Sequence, residues 1–521
     1  MITKRFFLAL LATMWMVGCT ESPVEPSVEK GEEDKVNQWI YSKMTDEYLW
    51  DVPGSPNYNK NYSEFFNGLL KKPDATFAMD APHDGTIDRQ GRWSPYSRIE
   101  VKEETKTRSA SGQHSFGFEF GLTYFGNSPT PNVVYAYVYY VVPGSPADVA
   151  NIKRGDWIRE VNDQTMTLAN YTSRYPEMTG SSTHKSVKLV LVDIYNGGSW
   201  PPVARSPVTL TAEPVDDSPV HLETVFPVSG RKIAYMVYNG FGTGRNPDTL
   251  EEEFEDKTYE KHLKDAFRNF ATQGATDLVV DLRYNPGGYV TTCRLLTSLI
   301  RPAATANHEK FAILKRKKGS GYAEYFLTSS QTEVNFTLSE PKKIYVLTSQ
   351  RTASASEMLI NGLRGAATNP VIVHHVGDTT EGKNVGSDLY EKTFDGKNYS
   401  MRPIVFQVMN ANGESNYANG FLPGASTSTE SDPKYMVDEF DGIETGVSFR
   451  LKEFLEMDGE GYPLDPLLRR AVDLITGKEI TKKSSGTRSV GGSGYGMKAL
   501  PVSSLDFKPW RGAIRIPNTE E

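Results

Sequence analysis

Apolar positions along the chain change period several times, and those changes divide it. Val36, Trp39, Ile40, Met44 and Tyr48 recur at helical spacing and predict an amphipathic helix over 35–50, with a shorter one over 62–70. The stretch from about 74 to 112 is mixed and polar. From Phe116 the pattern turns to strands, and 133–142 (Val-Val-Tyr-Ala-Tyr-Val-Tyr-Tyr-Val-Val) is β-branched and aromatic throughout. Beyond Arg231, strands and helices alternate. Strands are predicted at 233–238, 278–282, 344–348 and 371–375, with helices near 259–272, after Gly288, after Ser354 and at 466–475. Such alternation predicts an α/β layered domain. After Lys478 the run 484–494 is rich in Ser and Gly and predicts a flexible tail.

The 521 residues suggest about three domains at roughly 150 residues each. With 38% hydrophobic and 23% charged residues, there is material for sizeable cores. The net charge of −8, without a long basic run, argues against a nucleic-acid partner, which needs a clustered positive footprint. Two cysteines, Cys19 and Cys293, leave no room for a disulfide framework. The eight histidines are scattered with no metal-ligand spacing, so no metal or cofactor is expected. His374 and His375, adjacent in a strand, must point to opposite faces and read as structural.

Residues 1–18 read as a signal peptide: Lys4 and Arg5, then the apolar run Phe6–Val17, too short for a stable membrane span. The ending Met16-Val17-Gly18-Cys19 resembles a bacterial lipoprotein signal, with Met16 replacing the usual aliphatic residue. The resemblance implies cleavage before Cys19 and lipidation of its thiol, which would anchor the protein to a membrane. An ordinary cleaved signal is the alternative. Residues 19–34 then form a solvated tether, whose acidic start resembles the export signal of Bacteroides-type surface lipoproteins. Cys293, left without a partner, reads as a core residue.

Three segments could carry chemistry. The first is Thr352-Ala-Ser354-Ala355-Ser356-Glu357, where a strand passes through small residues into a helix. A serine there sits at a helix N-terminus, among amides suited to developing negative charge. Ser354-x-x-Glu357 is also a capping box, which needs no catalysis. The second is Asp281-Leu-Arg283-Tyr-Asn285-Pro-Gly287-Gly288, a buried strand ending in a turn whose amides can bind an oxyanion. The third is Thr380-x-Gly382-Lys383, a glycine-flanked lysine just after a strand. Gly377-x-x-x-x-Gly382-Lys383 lacks the Ser or Thr of a nucleotide-binding P-loop, having Asn384, and strand-like residues follow it, so no nucleotide is expected.

Upstream, Gly144-Ser-Pro-Ala147, Arg154-Gly-Asp-Trp-Ile158 and Val161-Asn162 resemble a PDZ domain of the circularly permuted type carried by bacterial proteases. The usual Ala-Gly-Leu appears as Ala150-Asn151-Ile152, and Asn tolerates left-handed backbone angles. With the three segments in order behind it, the chain resembles the C-terminal processing (tail-specific) peptidases of family S41, over roughly 112–478.

That resemblance implies a multidomain α/β fold with a crotonase/ClpP-like protease core. Its expected domains are a small N-terminal helical domain (35–111), a PDZ β-domain (112–215), the peptidase domain (216–478) and the tail (479–521). It implies Ser354 as nucleophile and Lys383 as general base, with Gly287, Gly288 and Ala355 around the oxyanion and Glu357 in support. Where some members have a Gln four residues after the lysine to orient it, this sequence has Ser387. Phe116, Gly117 and Phe118 would receive a peptide's C-terminus. The implied function is a serine endopeptidase of the cell envelope, acting on exported proteins or peptides. An inactive peptide-binding lipoprotein on the same fold is the alternative. The chemistry demands a neutral lysine: the free side chain has a pKa of about 10.4, while useful bases lie near 7–8.

Overall fold

The computed structural model describes residues 30–72, 95–103, 114–180, 184–195, 200–245, 254–317, 319, 321–366, 371–425, 431–441, 443, 447–480, 496–507 and 514–515. The signal peptide and Cys19 lie outside them, as do the Ser/Gly run 484–494 and most of 74–112.

Helix α1 (Lys30–Glu47) buries Val36, Ile40 and Met44 along one stripe, and Tyr48 follows them inward. α2 (Tyr62–Leu69) adds Phe65, Phe66 and Leu69, and Asn61 caps it by accepting the Ser63 N–H at 3.0 Å. The helices do not close a core alone. They share one apolar cluster with Val385, Met401 and Ile404, far along the chain. Strand β1 (Arg98–Glu103) pairs antiparallel with Lys397–Arg402. The N-terminal region is therefore welded to the segment that follows Lys383.

A β-domain follows: β2 (Phe118–Phe125), β3 (Val134–Val141), a helical turn Pro146–Val149, β4 (Trp157–Val161) and β5 (Ser186–Asp193), paired in that order. Asn151 sits at φ 60°, where the family pattern has glycine.

The catalytic-domain candidate is built on a six-stranded sheet. β6 (Val220–Val228) runs antiparallel to β7 (Arg231–Tyr238). β7, β8 (Asp277–Asp281), β9 (Lys343–Thr348) and β10 (Ile372–Gly377) are parallel, and Gly424–Ala425 closes the far edge antiparallel. Parallel strands are apolar on both faces because both faces are covered. Ala234, Met236, Leu278, Val280, Ile344 and Val346 point into one core with α3 (Thr258–Thr272), α4 (Val290–Ile300) and α5 (Ala355–Arg364). Ile233, Tyr235, Val279, Tyr345 and Leu347, one residue out of phase, point into another with α6 (Pro466–Thr476) and the β-domain's Trp157. The alternation that marked these strands in the sequence is the split between two cores.

A second six-stranded sheet carries β11 (Val385–Ser387) and β12 (Ile404–Asn410) beside the short strand Gly288–Tyr289. The tail departs from expectation. Residues 497–503 form β13, antiparallel to β2, and residues 514–515 form β14, between Gly288–Tyr289 and β11. An unpaired edge strand offers a row of backbone partners, and the apolar residues Met497 and Leu500 become buried against it.

Candidate active site

Ser354 is delivered by a turn stitched to the Asp281–Gly288 segment. Thr352 Oγ1 donates to Leu282 O at 2.8 Å, and Ala353 N–H donates to Asn285 O at 3.1 Å. Ser354 itself has φ 64° and ψ −112°, a left-handed conformation that costs a non-glycine residue and persists only when its surroundings impose it. α5 begins at the next residue. Ser354 is fully buried, and its Oγ has no hydrogen-bond partner among the described residues. Half of the capping box is firm: Ser354 N–H donates to Glu357 Oε2 at 2.9 Å. The return contact from the Glu357 amide has the topology of a box but falls short of hydrogen-bond geometry, leaving the hydroxyl unspent.

Gly287 lies directly against the serine. At φ +111°, a Cβ built there would stand 2.6 Å from Ser354 Cβ and 3.0 Å from Ala355 N. Gly288 faces Phe241 O, which a Cβ would approach to 2.5 Å. The Gly287 N–H donates to Asn285 Oδ1 at 2.9 Å, so it shapes the turn, and the Ala355 amide is left as the donor beside Ser354. Cys293, buried on α4, donates its thiol to Ala355 O at 3.2 Å. Burial pushes that thiol's pKa far up, which suits a core residue.

Lys383 is fully buried in the loop between β10 and β11. Gly382 brings it there at φ +96°, in a spot where a Cβ would meet Ala418 O at 2.2 Å. Its Nζ stands 4.0 Å from the centroid of the Tyr96 ring. No helix follows, which agrees with rejecting a P-loop. Ser387 is buried on β11, paired with Ile404 and Arg515.

Glu357 binds these parts together. Oε2 accepts the backbone N–H groups of Ser354 and Lys383; Oε1 accepts the Gly382 N–H at 2.7 Å and the Thr380 hydroxyl at 2.6 Å. Burial raises its pKa to about 7, while the Thr380 hydroxyl and the amides pull it back down.

The Asp-Leu-Arg segment does different work. Buried Arg283 donates to Asp281 and, at 2.7 and 2.8 Å, to both oxygens of Asp465, which also caps α6 through the Leu467 and Leu468 amides. Arg154 of the β-domain reaches Asp465 at 3.5 Å and Tyr284 Oη at 2.6 Å. His374 and His375 do point apart. His375 is buried against Thr348 Oγ1 with its pKa pushed down to about 3, and His374 bonds Tyr435 Oη at 2.9 Å.

In the β-domain, Phe116 is buried and its carbonyl accepts Ala147 N–H at 2.9 Å. Gly117, at φ +81°, packs so tightly on Ser145 that a Cβ would stand 2.0 Å from Ser145 Cβ. Phe118 opens β2, paired with Val141.

One participant escaped sequence reasoning. Tyr96 comes from the polar stretch that showed no periodicity, and only its proximity to Lys383 marks it. Thr380 is the threonine of the Thr-x-Gly-Lys motif, but its bond to Glu357 had no signal in the sequence. Among the described residues no group of His, Cys, Asp and Glu could hold a metal ion, and no helix is long and apolar enough to cross a membrane.

Comparison with known proteins matches residues 232–424 to the model of peptidase family S41, 35–95 to the peptidase S41 N-terminal domain and 137–192 to a PDZ domain. The chain is 26% identical over 400 residues to a carboxyl-terminal-processing protease of Synechocystis sp., covering 75% of this chain and 80% of that one. It is 25% identical over 367 residues to the carboxy-terminal processing protease CtpA of Bacillus subtilis, covering 70% and 67%. A crystal structure from Bacteroides fragilis, assigned to the S41 proteases, superposes with a TM-score of 0.61 at 26% identity, covering 85% of this chain and 98% of that one.

Proposed function

The chain belongs to peptidase family S41, and from that we propose that it is a serine endopeptidase with a Ser354–Lys383 dyad. Ser354 Oγ attacks the carbonyl carbon of a peptide bond, and Lys383 Nζ takes its proton. The oxyanion is held by the Ala355 amide beside the Gly287–Gly288 turn. Collapse breaks the C–N bond, and the proton passes from Lys383 to the departing amine. Water, deprotonated by the same lysine, then releases the acyl group from Ser354.

The observation that carries this reading is the Glu357 carboxylate, which accepts the amides of both proposed catalytic residues. A serine kept only for capping would not need a strained backbone, an unspent hydroxyl and a glycine pressed against it. Both dyad residues are buried, as a water-excluding site requires.

The PDZ domain's Phe116–Phe118 loop supports C-terminal peptide segments as the recognised feature, bound by strand addition to β2. Lipidation of Cys19 and an envelope location belong to the same proposal and rest on the leader sequence. The test is cleavage of casein by the wild-type chain, Ser354→Ala and Lys383→Ala, with labelling by a serine-directed fluorophosphonate. Loss of at least about 10³-fold in both variants is expected. Equal cleavage by wild type and Ser354→Ala would rule the dyad out.

A further inference from the structure

We infer that the chain's own C-terminal segment is the resident ligand of the PDZ groove and of the catalytic cleft, and that incoming polypeptides compete with it. This rests on reading β2 and the Phe116–Phe118 loop as the peptide-binding edge.

β13 occupies that edge in the manner a ligand would. It runs antiparallel to β2 with Lys498 opposite Tyr124, Ala499 opposite Thr123 and Ser503 opposite Gly121, and so advances towards the Phe116–Phe118 loop. β2's other edge is taken by β3, leaving no second place for an added strand. The seat is fitted. Leu500 is 1% exposed, in one apolar cluster with Phe118, Phe120, Tyr171 and Met178. Thr123 Oγ1 donates to Lys498 O at 2.8 Å. Ser504 Oγ accepts Phe120 N–H at 2.7 Å and donates to Phe120 O at 3.2 Å.

The same segment reaches the catalytic parts. Arg351, three residues before the nucleophile, donates to Ser503 Oγ at 2.8 Å. Farther on, Ile514 and Arg515 pair parallel with Gly288 and Tyr289, and Arg515 also pairs with Ser387. The tail strand thus lies between the glycine turn that faces Ser354 and the strand that follows Lys383. Main-chain pairing of this kind is how an extended substrate would be held. Neither Ser354 nor Lys383 has exposed surface in this arrangement, so a substrate reaches them only after something withdraws. A tethered ligand competes at an effective concentration of order mM, which weak C-terminal ligands cannot overcome.

The test uses full-length chains in a Ser354→Ala background, so that binding is read without cleavage. The probe is a fluorescein-labelled synthetic peptide with the sequence of residues 496–507, followed by anisotropy. Leu500→Asp in the chain removes the apolar anchor, and Ser504→Ala removes the two contacts to Phe120 with little risk to folding. A Tyr124→Cys/Lys498→Cys pair, opposed across β2 and β13, locks the segment when oxidised. Probe affinity should rise at least tenfold in Leu500→Asp and measurably in Ser504→Ala, and dithiothreitol should raise it in the cysteine pair. Equal affinity in all four chains, or no binding by any of them, would overturn the proposal. Failure of a Leu500→Asp chain that keeps Ser354 to react with the fluorophosphonate would overturn the peptidase reading alone, since the peptide assay does not depend on Ser354.

Discussion

Lys383 donates its backbone N–H to Glu357 Oε2 at 2.8 Å, and the same oxygen takes the Ser354 N–H at 2.9 Å. Two residues separated by a helix and a strand are thereby held by one buried oxygen atom. The side chains that would exchange a proton are positioned through their main chains, so Glu357 acts as a positioning residue. In Glu357→Gln one acceptor oxygen becomes an NH₂ donor, and the two donors it faced lose their partner. Since small displacements at a reacting centre cost on the order of 10²-fold, kcat on casein should fall by about that factor with KM little changed. A fall in KM-dependent binding without loss of kcat would show that Glu357 only supports the fold.

The same carboxyl gives a pH prediction. Burial holds its pKa at about 7, above the ordinary 4.5. The folded chain therefore keeps a proton that the unfolded chain has already lost. The contribution to stability is complete below about pH 4.5, declines as pH rises towards 7, and is gone above it. The difference in unfolding free energy between wild type and Glu357→Gln, measured by denaturant titration, should shrink from pH 5 to pH 7 and then level. A constant difference would mean that the carboxylate is ionised throughout.

Gly287→Ala tests the packing on Ser354, the proposed nucleophile. The new Cβ would stand 2.6 Å from Ser354 Cβ at a φ that alanine avoids, and both are backbone-anchored, so neither can rotate away. Casein cleavage should fall at least about 10²-fold. Fluorophosphonate labelling should slow in parallel, because the probe uses the same serine. Unchanged labelling would place the turn outside the site.

Much of this was legible because strand period and motif chemistry coincide. Ile233 to Val237, Leu278 to Val280 and Ile344 to Leu347 alternate between two cores, so a continuous apolar run in the sequence is a strand buried on both faces. Lys383 was visible because glycines flank it, and Ser354 because small residues lead from a strand into a helix; the structure uses Gly382 and the distant Gly287 for close approach. Tyr96 was invisible because an aromatic in a polar stretch carries no period. The tail strand was hidden for a related reason: Met497 and Leu500 are an unremarkable pair until an open edge on β2 gives them partners. Arg283 was visible in its motif but not in its role, since a buried guanidinium shared by Asp281 and Asp465 depends on α6, far away in sequence.

That role has a cost when broken. Arg283→Met would leave Asp281 and Asp465 buried without their common partner and free the cap of α6 from its anchor. Breaking a buried pair by removing one member costs about 3–5 kcal/mol. Chemical denaturation should show a loss of that size, with activity per folded molecule falling less than in Gly287→Ala. A stability change below 1 kcal/mol would mean that Arg154, which also reaches Asp465, compensates.

The last prediction concerns where the enzyme works. Lys4, Arg5 and the apolar run to Val17 lead to Gly18-Cys19, and a polar stretch of about 15 residues separates Cys19 from α1's amphipathic stripe. If Cys19 carries the lipid, a flexible chain of about that length has a root-mean-square reach of roughly 20 Å. Catalysis would then be confined to a shell near the membrane, on polypeptides already exported. A single acyl chain binds membranes only marginally, so stable anchoring implies several chains on the processed cysteine. Cys19→Ala should move the protein to the soluble fraction with casein cleavage intact, because the other cysteine, Cys293, is buried in the core. Continued sedimentation of Cys19→Ala with membranes would place the anchor elsewhere in the chain.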